Sequence, residues 1–175
     1  MIAHGYVHEA ISPGIEELEE RQPHVSPAAH AESLAFFKAC AVADQQAGAT
    51  VLGADTIATL DNEIIGKPAD RDDARRILTR LSGTVHDVIT GIALVCSATG
   101  RRMIDHDVTT IRVRPLDGAM IDAYLDTGLW AGKAGAYGIQ DEGDPFVETI
   151  EGSFTNVVGL PIELLSRMLA AWTRG

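Results

Sequence analysis

The segment Val51–Ile65 has the sequence VLGADTIATLDNEII, and it predicts the first part of a β-sheet. Small apolar and β-branched residues dominate Thr50–Leu60. The pair Asp61-Asn62 is typical of a tight turn, and Glu63-Ile64-Ile65 follows as a short return strand. The segment therefore predicts an antiparallel hairpin around which the rest of the fold is arranged.

A carboxylate lies inside the first strand of this hairpin. Apolar residues continue beyond Asp55 at Ile57 and Leu60, so the aspartate interrupts the strand rather than ending it. The Gly53-Ala54 pair before it leaves space for a ligand to approach the backbone closely. We therefore expect Asp55 to be functional; the alternative is an aspartate that ends a strand at a surface turn.

A helix is predicted before the hairpin. Ser26 is typical of an N-cap, and Pro27 is typical of the first helical position. The following stretch, Ala28–Ala47, has apolar residues such as Leu34 and Phe37 on one side. We expect that side to pack against the sheet.

Three further helices and three further strands are predicted after the hairpin. Asp70 is expected to cap a helix that ends at Ser82-Gly83, because the apolar residues between them recur at helical spacing. Since strands and helices are intermixed and hairpins are evident, we expect an α/β fold with a mixed sheet and flanking helices. The other predicted elements are strands at Val85–Val95, Met103–Arg114 and Phe146–Ile150 and helices at Asp117–Asp126 and Pro161–Trp172.

The composition is that of a globular domain. The chain has 175 residues, 46% of them hydrophobic, and no apolar run approaches the roughly 20 residues that span a bilayer. Its first 20 residues lack the basic and apolar regions of a signal peptide. The net charge of −11 argues against general nucleic-acid binding. An anionic ligand would need local cations or a metal ion to overcome this field.

The lysine-containing glycine segments do not match standard phosphate-binding loops. Pro68 follows Lys67 and Ala134 follows Lys133, whereas a Walker loop requires serine or threonine after its lysine. Only three of the 14 basic residues are lysines, at positions 38, 67 and 133. A chain that otherwise uses arginine is expected to keep lysine where a compact ammonium group is needed; codon bias is the alternative.

Five segments of the chain occur in the order in which they occur in Maf proteins, and together they resemble that family. The resemblance as a whole runs from about Gly14 to the C-terminal helix, nearly the whole chain. The segments are Gly53-Ala54-Asp55-Thr56, Gly66-Lys67-Pro68-Ala69-Asp70, Leu81-Ser82-Gly83 with His86-Asp87-Val88-Ile89-Thr90-Gly91, the loop Lys133–Gln140 (KAGAYGIQ), and the stretch Ile150–Pro161 (IEGSFTNVVGLP).

The resemblance implies a single domain over residues 1–175, similar in fold to inosine triphosphate pyrophosphatases. In that fold a twisted mixed sheet with flanking helices forms two lobes around a cleft. The implied activity is hydrolysis of a nucleoside triphosphate to the monophosphate and pyrophosphate, with Mg²⁺ or Mn²⁺ as cofactor. A cytoplasmic homodimer with a housecleaning role and a link to septum formation is implied as well, with no nucleic-acid or membrane partner.

The resemblance also implies roles for seven residues. A triphosphate carries charge that must be neutralised before water attacks phosphorus, so carboxylates for the metal and cations for the phosphates are expected. The predicted catalytic residues are Asp55 as general base, Glu17, Lys38 and Lys67; the predicted substrate-binding residues are Thr56, Lys133 and Gln140; the predicted metal ligands are Asp55 and Glu17.

The form of two segments resembles the subgroup that acts on dTTP and UTP, namely Ala54-Asp55-Thr56 and Ile139-Gln140. One family feature is missing at the start of the chain. Maf proteins open with a strand and a Ser-x-Ser-Pro-Arg-Arg loop, whereas this sequence begins Met1-Ile2-Ala3-His4-Gly5. We therefore expect either a start assigned too late or a shortened member; the alternative function is a nucleotide-binding regulatory protein with impaired catalysis, linked to cell division arrest.

Overall fold

A computed structural model describes residues 5–15, 24–139 and 146–174. Its strands are β1 (Val51–Leu60), β2 (Glu63–Ile65), β3 (Val85–Cys96), β4 (Arg101–Val113) and β5 (Val147–Glu151). They form one sheet in the order β2-β1-β3-β4-β5. All pairings among these strands are antiparallel, and short connections join β1 to β2 and β3 to β4, as antiparallel neighbours allow.

The predicted hairpin is confirmed, and its turn has the expected geometry. Asp61 and Asn62 have φ angles of 53° and 65°. Two consecutive positive φ angles match the twist of the strands that such a turn connects. On its other side, β1 pairs with β3 in a register that places Asp55 opposite Gly91.

Helices flank the sheet, which confirms the predicted α/β class. The helix that begins at Arg71 is capped as predicted, since the Asp70 side chain accepts a hydrogen bond from the Asp73 amide at 2.8 Å. Among the described residues, no helix combines the length and the apolar character of a membrane span. The helices are α1 (Pro27–Ala43), α2 (Arg71–Leu81), α3 (Gly118–Asp126), α4 (Phe154–Val157) and α5 (Ile162–Trp172), and Ala134–Ala136 form one 3-10 turn.

Helix α1 packs very closely on one face of the sheet. An ideal Cβ at Gly91 would lie 2.4 Å from the carbonyl oxygen of Ala31, and one at Gly53 would lie 2.2 Å from that of Ala35. Because neither glycine has a side chain, the helix backbone can lie directly against the strands at these two positions. The prediction that Phe37 belongs to the buried side is wrong, because its side chain is 52% exposed. Ala31 and Ala35 are fully buried at these contacts, where small side chains permit the close approach.

The opposite face of the sheet carries two separate apolar clusters. One cluster joins α2 and α3 to the sheet and includes Ile77, Leu81 and Ile111. The other joins α5 to the sheet and includes Leu94 and Leu165. Between them α4 packs on β3 and β4, and the buried polar residues of that region extend towards the pocket described below.

Candidate active site

An open pocket of about 320 Å³ lies beside β1. The predicted site residues from four separate segments meet there, although they are far apart in sequence. Strand β1 contributes two of them, α1 contributes one, and the two lysine-containing loops contribute one each. The five predicted residues that line the pocket are Lys38, Asp55, Thr56, Lys67 and Lys133.

Asp55 and Lys38 form an ion pair at the edge of this pocket. The Lys38 ammonium donates a hydrogen bond to Oδ1 of Asp55 at 2.7 Å. The side chains of Asp55 and Lys38 are 9% and 18% exposed, so water screens their interaction less than it screens a surface pair. Lys38 belongs to α1. The close packing of α1 on Gly53 and Gly91 therefore determines where the Lys38 ammonium group lies.

The other two lysines reach the pocket from adjacent loops. Lys67 follows β2, and Lys133 immediately precedes the 3-10 turn. The Gly135 amide donates to the Gly66 carbonyl at 3.3 Å, which holds the two loops together. The Lys133 side chain packs against Gly138. A Cβ at position 138 would lie 2.7 Å from the Nζ atom of Lys133, so only glycine leaves room for this side chain.

A buried histidine anchors the loop that carries Lys133. The imidazole Nε2 of His86 and the hydroxyl of Tyr137 are 2.8 Å apart, and the two rings meet edge to face. Nδ1 of His86 has no hydrogen-bond partner among the residues that the structure describes. Burial lowers the pKa of His86 to about 4, outweighing the neighbouring Asp87, which raises it. His86 is therefore neutral at pH 7.

This depressed pKa makes the stability of the fold dependent on pH. The unfolded chain binds a proton at His86 near pH 6.5 and the folded chain near pH 4, so stability is full above 6.5 and falls towards 4. We expect His86→Gln to remove about 2 to 3 kcal/mol of the loss between pH 7.5 and 4.5. Urea unfolding of both proteins at both pH values measures this difference; equal losses would contradict the assignment.

Two predicted site residues, Glu17 and Gln140, lie outside the described residues. Their roles as metal ligand and substrate-binding residue stay predictions. Asp55 is the one carboxylate among the described residues that line the pocket.

The donor chemistry of Asp55 suits a hard divalent cation. Mg²⁺ and Mn²⁺ prefer oxygen ligands, and Mg²⁺ is commonly held by one or two carboxylates together with substrate phosphates and water. A second group of potential ligands, Glu32, Asp105 and His106, has its donor atoms within 4.8 Å of one another. None of these three residues lines the pocket, and His106 is already hydrogen-bonded to Glu32 at 2.7 Å. The carboxylate in the pocket is thus the better placed for a metal that acts on substrate.

Several residues on the far side of β1 had no role predicted from the sequence. Ala58, Val88 and Val157 form part of an apolar wall next to Thr56. The Thr56 hydroxyl lies 2.8 Å from that of Thr90, which is fully buried. All of these residues except Ala58 occur in the segments that resemble Maf proteins. Their contacts join β1, β3 and α4, and spacing along the chain does not predict such contacts.

The pocket thus combines three ammonium groups, one carboxylate and an apolar wall. In a chain of net charge −11, three converging lysines provide the local positive field that a polyanion needs. The apolar wall suits a flat ring rather than a phosphate. The arrangement can bind a molecule that is highly charged at one end and aromatic at the other.

Comparison with known proteins gives consistent matches. The family described as "Maf-like protein" matches residues 2–172. The chain is 45% identical to the dTTP/UTP pyrophosphatase of Symbiobacterium thermophilum over 89% of this chain and 79% of that protein. It is 43% identical to the dTTP/UTP pyrophosphatase of Ruminiclostridium cellulolyticum over 87% and 80%, and 44% identical to that of Salinibacter ruber over 92% and 78%.

Proposed function

The chain belongs to the Maf-like protein family, and we propose that it is a nucleotide pyrophosphatase that hydrolyses dTTP and UTP to the monophosphate and pyrophosphate. The observation that carries this proposal is the convergence of Lys38, Lys67 and Lys133 beside Asp55 in one pocket. These are all the lysines of the chain. Their meeting supports the interpretation that each is kept for a triphosphate.

The lysines are proposed to bind the phosphates and to stabilise the leaving pyrophosphate. A triphosphate repels an incoming water because of its negative charge, and pyrophosphate gains charge as it departs. Fixed ammonium groups in a partly buried cleft stabilise that charge without having to reorganise during the reaction. Lys133 has its side chain packed over Gly138, which supports a defined position for its ammonium group.

Asp55 is proposed as the general base that takes a proton from the attacking water. Its contact with Lys38 fixes one carboxylate oxygen, and no other described side chain forms a hydrogen bond or ion pair with the Asp55 carboxylate. We further propose that Asp55 and Glu17 hold Mg²⁺ or Mn²⁺. When bound, such an ion supplies charge neutralisation at the phosphates.

The base is proposed to bind near Thr56 and Gln140, against the apolar wall. This placement separates the aromatic end of the substrate from the lysines, as the chemistry of the pocket requires. We also propose, from the family resemblance, a cytoplasmic homodimer with a housecleaning role in nucleotide metabolism.

A panel of nucleoside triphosphates tests this proposal. We expect kcat/KM for dTTP and UTP to exceed that for CTP and for the purine triphosphates by about tenfold or more, because one matched hydrogen bond in a desolvated site discriminates by at least that factor. Pyrophosphate release with Mg²⁺ or Mn²⁺ is the measurement, and excess chelator should abolish it. Tight binding of dTTP without any turnover would instead support the regulatory alternative.

A further inference from the structure

We propose that Thr90 fixes the hydroxyl of Thr56 as a hydrogen-bond acceptor towards the pocket, so that the site selects a base whose edge donates there. This inference rests on the proposed function for the identity of its substrates. Thr90 does not line the pocket, so it acts through Thr56 and is a positioning residue. Two linked hydrogen bonds support this role, one from Thr90 to Asn156 and one between Thr56 and Thr90, because each has a single possible direction.

The first bond fixes the proton of Thr90. Its hydroxyl lies 3.0 Å from the backbone carbonyl of Asn156, and a carbonyl can only accept. Thr90 must therefore donate its single hydroxyl proton to Asn156. Because Thr90 is fully buried, no water competes for that proton.

The second bond then has only one possible direction. The hydroxyls of Thr56 and Thr90 are 2.8 Å apart, and the proton of Thr90 is already engaged. Thr56 must donate to Thr90, since two hydroxyls cannot bond without a proton between them. The Thr56 oxygen is left with lone pairs, and Thr56 is one of the residues that line the pocket.

The acceptor at the end of this chain is itself held in place. The side-chain amide of Asn156 donates to the Val88 carbonyl and to the Thr109 hydroxyl, both at 2.9 Å. Its carbonyl also accepts from the Gly159 amide at 2.9 Å. Asn156 is fully buried, so solvent does not compete for these three bonds. The fold thus fixes the direction of both hydrogen bonds, from Thr56 to Thr90 and from Thr90 to Asn156.

An acceptor at Thr56 distinguishes the pyrimidine bases. Uracil and thymine carry N–H at ring position 3, whereas cytosine carries a lone pair at that position. The N3–H group of uracil or thymine can donate a hydrogen bond to the Thr56 oxygen. In cytosine, N3 is itself an acceptor, so it would face the Thr56 oxygen without a proton between them. A buried acceptor without a donor is costly, so this contact favours uracil and thymine.

The variant Thr90→Val removes the Thr90 hydroxyl and keeps the shape of the side chain. In Thr90→Val the Thr56 hydroxyl has lost its acceptor and can turn its proton towards the base. We expect the ratio of kcat/KM for UTP to that for CTP to fall by about tenfold, and Thr90→Ser to retain the wild-type ratio. Thr90→Ala serves as a second hydroxyl-free variant if the valine does not fold. An equal loss with both nucleotides would show a merely structural role and overturn the proposal.

A binding measurement separates this inference from the proposed function. The dissociation constants of α,β-methylene UTP and CTP are measured for wild type and Thr90→Val, since these analogues resist cleavage between the α and β phosphates. A uracil preference in wild type that Thr90→Val removes supports the inference, even for a protein that shows no turnover. Equal affinities of the wild type for the two analogues would overturn it, whatever the outcome for hydrolysis.

Discussion

Asp55→Asn is expected to lower kcat for dTTP by about 10³-fold, because general-base catalysis typically contributes about 10² to 10⁴. An amide is too weak a base to take a proton from water at neutral pH, and it is also a poorer ligand for a divalent cation. The expected loss therefore exceeds that from removing a single neutral hydrogen bond. Steady-state pyrophosphate release from dTTP measures it.

The fold is expected to survive this change. Asparagine has the size of aspartate and keeps an oxygen that can accept from Lys38, now 2.7 Å from the Asp55 carboxylate. Asp87→Asn is a matched control, because Asp87 is a partly buried strand residue that accepts from Thr110 and does not line the pocket. That control should retain kcat within about twofold, since surface and structural polar changes away from a site act mainly on stability. A kcat for Asp55→Asn above about one third of wild type would contradict the assignment.

Gly91→Ala is expected to destabilise the fold by about 3 kcal/mol or more, since overpacking against rigid neighbours has this magnitude. The new methyl would lie 2.4 Å from the carbonyl carbon and oxygen of Ala31 and 2.5 Å from the Glu32 amide. These are backbone atoms of a helix, so they cannot move aside as a side-chain tip can. Helix α1 must lift from the sheet, and Lys38 must move with it.

Thermal unfolding measures the effect of Gly91→Ala. For a chain of this length we expect the melting temperature to fall by about 10 °C, at roughly 2 to 4 °C per kcal/mol. Gly118→Ala is the matched control, because a Cβ at Gly118 meets no atom within 4 Å and its φ is not positive. That variant should unfold within a few degrees of wild type. A Gly91→Ala protein as stable as this control would show that the close packing of α1 is not required.

Most of the fold could be predicted from local patterns. The Asp61-Asn62 turn and the Asp70 cap are short-range signals, and both have the predicted geometry. The prediction for Phe37 was wrong, because α1 is apolar on most sides and the glycines that select its alanine side belong to other elements. Helix α4 was missed because it has a single turn, although Ser153 caps it by accepting from the Asn156 amide.

The site was less accessible to sequence reasoning than the fold. The rarity of lysine singled out Lys38, Lys67 and Lys133, but only the family resemblance suggested that they meet. Thr90 carried no signal of its own, because its role depends on bonds to Thr56 and Asn156, which lie 34 and 66 positions away. Such long-range hydrogen bonds become visible only when the strands and α4 are assembled.

³¹P NMR of dTTP incubated with the purified chain in Mn²⁺-free Mg²⁺ buffer shows directly which phosphate bond is broken. We expect dTMP and pyrophosphate to appear in equal amounts, which identifies cleavage between the α and β phosphates. Appearance of dTDP with inorganic phosphate, or persistence of intact dTTP, would contradict this expectation.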